Sequence, residues 1–231
     1  MKKVTIHQPE HLPYQGFFAK VLQSDIFVVL DHVQFRKNYF QNRNKIINAE
    51  GQEVWLTVPL EKSSSDSLIN QKKVSRDIKW RRKYINQLNE SYKKSNNFKK
   101  IFPEIKNIII SDHKKLLDIN FNIILFILKE IFNYKGDIIL SSKLNINSLK
   151  SDLNLDICKS LSADIYISGP SGNSYLDKKS FLKNDIELKF IDYKPIEFTT
   201  GHSAFISIID PLMKYEFNSV KQEILRNTNL K

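Results

Sequence analysis

The 231-residue chain holds one cysteine, Cys158, so no disulfide can form within it and its stability must come from a packed core. A single cysteine fits a reducing compartment, and it leaves no thiol set spaced for zinc. Glycine is scarce too, at six residues. The glycine-bearing stretch Ser168-Gly169-Pro170-Ser171-Gly172 is not followed by Gly-Lys-Ser/Thr, which excludes a phosphate loop of that type. Nor is it Gly-x-Ser-x-Gly, the turn that presents an esterase serine. Long apolar runs are missing as well. The most lipid-like stretch, Ile123 to Leu128, meets Lys129 and Glu130 far short of the ~20 residues a membrane span requires. Met1-Lys2-Lys3 opens like a signal peptide, but the apolar segment after it is short and soon reaches His7 and Glu10. A cytoplasmic protein without a membrane span is expected. Internal repeats are lacking, too.

What is abundant is apolar side chain (41% of the chain, 11% aromatic) and lysine. The first excludes wholesale disorder and suffices for a buried core. The second brings the formal charge to +11. With the richness in Asn and Ile, it is what an AT-biased genome imposes, and so it weighs little as evidence for nucleic-acid binding. It still predicts attraction to phosphorylated or nucleotide-linked substrates, or to an acidic carrier protein.

Periodicity gives the architecture. Val4-Thr5-Ile6 reads as a strand, the segment after Gly16 as a helix with Phe17, Phe18, Val21 and Leu22 on one face, and Asp25 to Leu30 as a second strand. Lys45-Ile46-Ile47-Asn48 and Val54 to Val58 flank a glycine-bearing turn and predict a β-hairpin. Glu61 to Asn70 is a polar loop. Helices are expected over Lys79 to Tyr92 and over Asp112 to Asn133, with Asp112 as the cap of the second. Further on, Asp137 to Leu140 reads as a strand, Ser151 to Leu161 as a helix, Ala163 to Ile167 as a strand, Ile186 to Ile191 as a strand and Val220 to Leu225 as a helix. This β-α rhythm predicts an α/β fold: an open, mostly parallel sheet with helices on both faces, a β-hairpin in the N-terminal half and a helical insert around 79–133.

Ligands of such sheets bind at the carboxyl ends of the strands. His7 ends the first strand beside Pro9 and Pro13, and Asp31 follows the second, so the two are expected to share a crevice. There His7 would act as a general base. Asp31 would orient it or bind a substrate amine, or would instead cap the following turn. His7 and His11 are four residues apart, but the prolines oppose a regular helix and no metal site is expected. His11, His32 and His113 are read as structural. Between Gln34 and Lys45, amides and cations alternate with aromatics. Gln34, Lys37, Asn42 and Arg43 suit carboxylate or phosphate recognition, ahead of a plain hairpin edge or single-stranded nucleic acid. Ser168, Ser171 and Tyr175 follow a strand as a sugar- or phosphate-binding loop would. Cys158 is read as core packing. Thr199 to Ser203 either closes over the site or forms a surface turn.

Several of these segments together resemble the N-terminal signature of the WbqC-like proteins: His7-Gln8-Pro9, Pro13, Gly16 to Lys20, Asp25 to Phe35, and Asn42-Arg43. Leu56-Thr57-Val58-Pro59, Ser168-Gly169 with Ser171-Gly172 and Tyr175, and Ile206 to Asp210 extend the resemblance over nearly the whole chain, 1–231, as one domain. Tyr193-Lys194-Pro195 departs from it, since a histidine is expected before the proline. The resemblance implies a role in O-antigen or other surface-polysaccharide biosynthesis, namely transfer of an aminoacyl group, glycyl or similar, to an amino sugar or its nucleotide-linked precursor. His7 and Asp31 would then be catalytic, with Gln8, Gln34, Lys37, Asn42, Arg43, Ser168, Ser171 and Tyr175 binding substrate. No cofactor is required by the sequence; ATP or an activated acyl donor, carried by an acyl carrier or an aminoacyl-tRNA, would serve, and homo-oligomers are compatible. In outline, strand, His, loop and helix are also similar to nucleotidyltransferases and to pantothenate synthetase, which keeps adenylate chemistry as an alternative beside non-catalytic binding of a sugar nucleotide.

Overall fold

The computed structural model describes residues 1–199 and 201–231. Strand β1 (Lys3–His7) passes through helix α1 (Gln15–Val21) into β2 (Ile26–Val29), which lies parallel beside it, Val4 opposite Ile26 and His7 opposite Val29. An antiparallel hairpin of β3 (Arg43–Ile47) and β4 (Glu53–Thr57) forms its own two-stranded sheet, with Arg43 opposite Thr57. Helices α2 (Lys79–Tyr92), α3 (Phe98–Ile110) and α4 (Leu116–Leu125) follow, the last continuing as a π-helical turn over Phe126–Ile131. The β-α rhythm resumes with β5 (Asp137–Leu140), α5 (Lys150–Ser160), β6 (Ile165–Ser168), α6 (Lys178–Lys183) and β7 (Glu187–Tyr193). Helices α7 (Ile209–Lys214) and α8 (Phe217–Arg226) lead to β8 (Thr228–Leu230).

The six strands of the main sheet are ordered β5-β2-β1-β6-β7-β8, all parallel except β8. From β1 the chain builds outward to β2 and β5, then returns to lay β6 and β7 on the other side. This reversal opens a crevice between the carboxyl ends of β1 and β6, the place where an open α/β sheet takes its ligand. Side chains alternate across the sheet. Val4, Ile6, Val28 and Tyr166 pack with Ile157 of α5 and Phe181 of α6, whereas Phe27, Val29, Ile165 and Ile167 pack with Phe17 and Phe18 of α1 and the insert's Ile105, Ile109 and Ile123. The mostly parallel sheet, its two helical layers and the separate hairpin agree with the sequence pattern.

The helical insert differs in detail. The helix expected from Asp112 begins at Leu116, because Lys73 and Lys115 form a β-bridge, Val74 N–H donates to Lys114 O at 3.0 Å and Leu116 N–H to Lys72 O at 3.0 Å. These bonds hold residues 114–116 extended, and Asp112 pairs with Lys114 outside the helix. Helix α3, unforeseen, carries Pro103 in its interior and buries Ile101, Ile105 and Ile109 along one stripe. At the start of α1, Gly16 lets two rings close in. A Cβ there would stand 2.5 Å from the Tyr14 ring and 2.6 Å from that of Tyr193.

Candidate functional site

The crevice beyond β1 and β6 has a volume of about 310 Å³, at the small end of the range for small-molecule pockets. His7, Gln8 and Glu10 form one wall, Lys150 and Asn154 of α5 another, and Ser171 with Tyr175 of the β6 loop a third; Arg36 and Tyr39 complete it. Gln8 is held in place by Gln41, whose Nε2 donates to Gln8 Oε1 at 2.6 Å while its Oε1 accepts from the Arg36 N–H at 2.7 Å.

Three ionisable groups meet at the inner end. The His7 ring rests on Phe17, with centroids 4.9 Å apart, and its Nε2 stands 3.9 Å from Glu10 Oε1. His7 Nδ1 and Glu10 Oε2 are buried with no hydrogen-bond partner among the described residues. All seven residues of α1 are buried, so Lys20 cannot reach solvent, and its Nζ donates to Ile6 O at 2.8 Å. Burial pushes the Glu10 carboxyl up to about 8, against the pull of the Lys20 charge. It lowers the Lys20 ammonium to about 7, against the pull of Glu10. Burial first, and Lys20 second, hold the His7 imidazole well below its usual value. Near neutral pH the pair is therefore a free imidazole facing a protonated carboxylic acid, one group ready to accept a proton and the other ready to give one.

Asp31 takes a different place from the one expected. It follows β2, the neighbour of β1, but both oxygens are engaged: Oδ1 accepts from Ser141 Oγ (3.0 Å) and Ser142 N–H (2.9 Å), and Oδ2 from Ser142 Oγ (2.7 Å) and Asn70 Nδ2 (3.4 Å). It ties β2 to the turn after β5, and the carboxyl that faces His7 is Glu10. Ser168 is buried beneath its loop, its hydroxyl on Gly169 O at 3.3 Å, while Ser171 and Tyr175 reach the crevice. Gln34, Lys37, Asn42 and Arg43 line a separate groove of about 960 Å³ beside the hairpin, and Arg36 borders both spaces.

Two of the histidines read as structural, His11 and His32, have bonded rings. His11 is fully buried between Asn120 Oδ1 and Tyr84 OH, each at 2.9 Å, and burial lowers it to about 4. His32 bonds to Ser141 Oγ at 2.6 Å and Ile146 O at 3.2 Å. Cys158 is buried, and burial raises its thiol. Thr200, within the segment expected either to close over the site or to form a turn, lies outside the described residues. Three residues on, Ser203 N–H donates to Glu53 Oε1 at 2.5 Å, and Ser207 N–H to Lys45 O at 2.9 Å, so this following stretch docks on the hairpin. Among the described residues, no helix is long and apolar enough to cross a membrane and no three His, Cys, Asp or Glu side chains gather to hold a metal ion.

Glu10 and Lys20 escape sequence reading because a charged residue in a loop or short helix is ordinarily solvated. The available signal was in α1, where Lys20 sits among Phe17, Phe18, Ala19, Val21 and Leu22 with hardly a polar face to occupy.

The model of the WbqC-like protein family matches residues 8–222. The chain is also similar to an uncharacterized protein of Mycobacterium tuberculosis, Rv1507c, with 26% identity over 223 residues, covering 92% of this chain and 93% of that one. No solved structure matches.

Proposed function

Because the chain belongs to the WbqC-like protein family, we propose that it is a transferase that acylates the amine of an amino sugar or its nucleotide-linked form during surface-polysaccharide assembly, the group transferred being aminoacyl. The observation that carries this reading is the His7–Glu10 pair, with an unpartnered buried atom on each side, at the bend in strand order. The amine nitrogen attacks the acyl carbonyl carbon, forming the C–N bond, and His7 takes the N–H proton. The bond to the donor's leaving oxygen or sulfur breaks, and Glu10 supplies the proton that group needs. Protonated His7 then releases its proton to water and the Glu10 carboxylate takes one up from water, a downhill exchange because burial lowers one group and raises the other. Gln8, Asn154, Ser171 and Tyr175 are of the type that binds sugar hydroxyls.

The test is to incubate the protein with nucleotide-linked amino sugars and, in turn, an aminoacyl-tRNA, a carrier thioester, or an amino acid with ATP. Mass spectrometry then follows the sugar. A mass gain located on the amine is expected with one donor class. Thermal stabilisation by the sugar nucleotide with no mass gain from any donor would replace the reading with non-catalytic binding.

A further inference from the structure

We propose that the groove beside the hairpin binds the diphosphate of a nucleoside diphosphate, and that a nucleotide-linked sugar lies across Arg36 with its diphosphate in the groove and its sugar in the crevice. The placement of the sugar rests on the function proposed above; the diphosphate site does not. Five cationic side chains line the groove, Arg36, Lys37, Arg43, Lys62 and Lys72, against one carboxylate, Glu61, whose Oε1 is engaged by Arg76 at 2.7 Å.

Two of these cations are placed to take up an anion. Lys72 is 7% exposed and packs over the Phe35 ring at 4.8 Å; its Nζ donates to Ser63 Oγ at 2.6 Å and Ser64 O at 3.4 Å, both neutral acceptors. Arg43 is clamped, its guanidinium 4.4 Å over Trp55 and its Nη2 on Asn38 O at 3.0 Å, while its Nε is buried with no partner among the described residues. A buried guanidinium N–H without an acceptor is satisfied by an anion, and the Lys72 ammonium, hydrogen-bonded to neutral acceptors and drawn by the Asp66 carboxylate, adds positive charge to the same groove. Arginine's planar fork suits phosphate oxygens. The volume of about 960 Å³ is more than inorganic phosphate fills and lies in the range that encloses a nucleotide-sized ligand. Arg36 is the link, since it borders groove and crevice alike.

The test is calorimetric titration of the full chain with uridine diphosphate, inorganic pyrophosphate and an RNA of tRNA size. Uridine diphosphate is expected to bind, more weakly at high salt, and pyrophosphate to compete with it. R43Q is expected to lower affinity about tenfold or more. K37Q, at an exposed position that cannot threaten folding, is expected to lower it about threefold. H7A, in the crevice, should leave it unchanged. Equal affinity in wild type, R43Q and K37Q would overturn the groove as the site, as would RNA binding without uridine diphosphate binding. Arg43-dependent binding combined with no acyl transfer would discard the reaction and keep the groove. Acyl transfer with an unaltered KM for the sugar nucleotide in R43Q would discard the groove and keep the reaction.

Discussion

Glu10 and Asp31 are both buried carboxyl groups at the carboxyl end of the sheet, yet Asp31 accepts four hydrogen bonds from Ser141, Ser142 and Asn70 while Glu10 Oε2 has no partner among the described residues. The histidines divide in the same way. His11 has Asn120 on one ring nitrogen and Tyr84 on the other, whereas His7 Nδ1 is bare. Folded proteins satisfy nearly all their buried polar atoms. The bonded members of these pairs therefore hold the fold together, and the bare members, which share one crevice, are the groups kept for a ligand.

That contrast is most sharply broken by removing the bonded members. Asp31→Ala strands two hydroxyls, a backbone N–H and the Asn70 amide, and should cost on the order of 3 kcal/mol or more, read as a lower urea midpoint. His11→Ala strands Tyr84 OH and Asn120 and should cost about 2–3 kcal/mol in the same assay. A wild-type midpoint in either variant would erase the distinction between bonded and bare.

Glu10 should reveal itself through pH. Its carboxyl titrates near 4.5 in the unfolded chain and about 8 in the folded one. Between those values the unfolded chain holds fewer protons, so stability falls as pH rises, by on the order of 1 kcal/mol per unit. Lys20 acts in the opposite sense, from about 7 in the folded chain to 10.5 unfolded, where stability rises with pH. His7 and His11, both lowered by burial, oppose Glu10 below about pH 6.5, so the Glu10 contribution is read as a difference: Glu10→Gln should remove a downward slope between pH 5 and 8 relative to wild type. An unchanged slope between pH 5 and 8 in that variant would show that Glu10 is not buried as described. A smaller effect is expected at the rim of the crevice. Tyr175→Phe and Ser171→Ala should each raise KM for the sugar about two- to tenfold with kcat nearly constant, since each removes one neutral hydrogen bond.

The elements that positioned this site were the ones legible in sequence. Strand β1, the switch to helical spacing after Gly16, β2 and the β6 loop all follow from period-2 and period-3.6 patterns bounded by Pro and Gly, and α2 has the bounds its Trp80, Tyr84, Leu88 and Tyr92 spacing implies. What sequence missed was set by tertiary partners. The false helix start at Asp112 arose because residues 72–74 pull 114–116 into extended pairing, a contact between distant segments. Strand adjacency puts Asp31 beside His7, and the adjacency holds, but Ser141 and Ser142 reach it from the turn after β5, and local pattern carries no record of them. Sequence alone reads the basic run as one site with the crevice; the hairpin turns most of it into a second groove, with Arg36 in common.

The most direct test of the central claim is the acyl-transfer rate of His7→Ala beside wild type, followed by mass spectrometry on protein whose urea midpoint matches the parent. The account predicts a fall of about a hundredfold or more, the usual contribution of a positioned general base. A folded His7→Ala protein that acylates the sugar at the wild-type rate would contradict it.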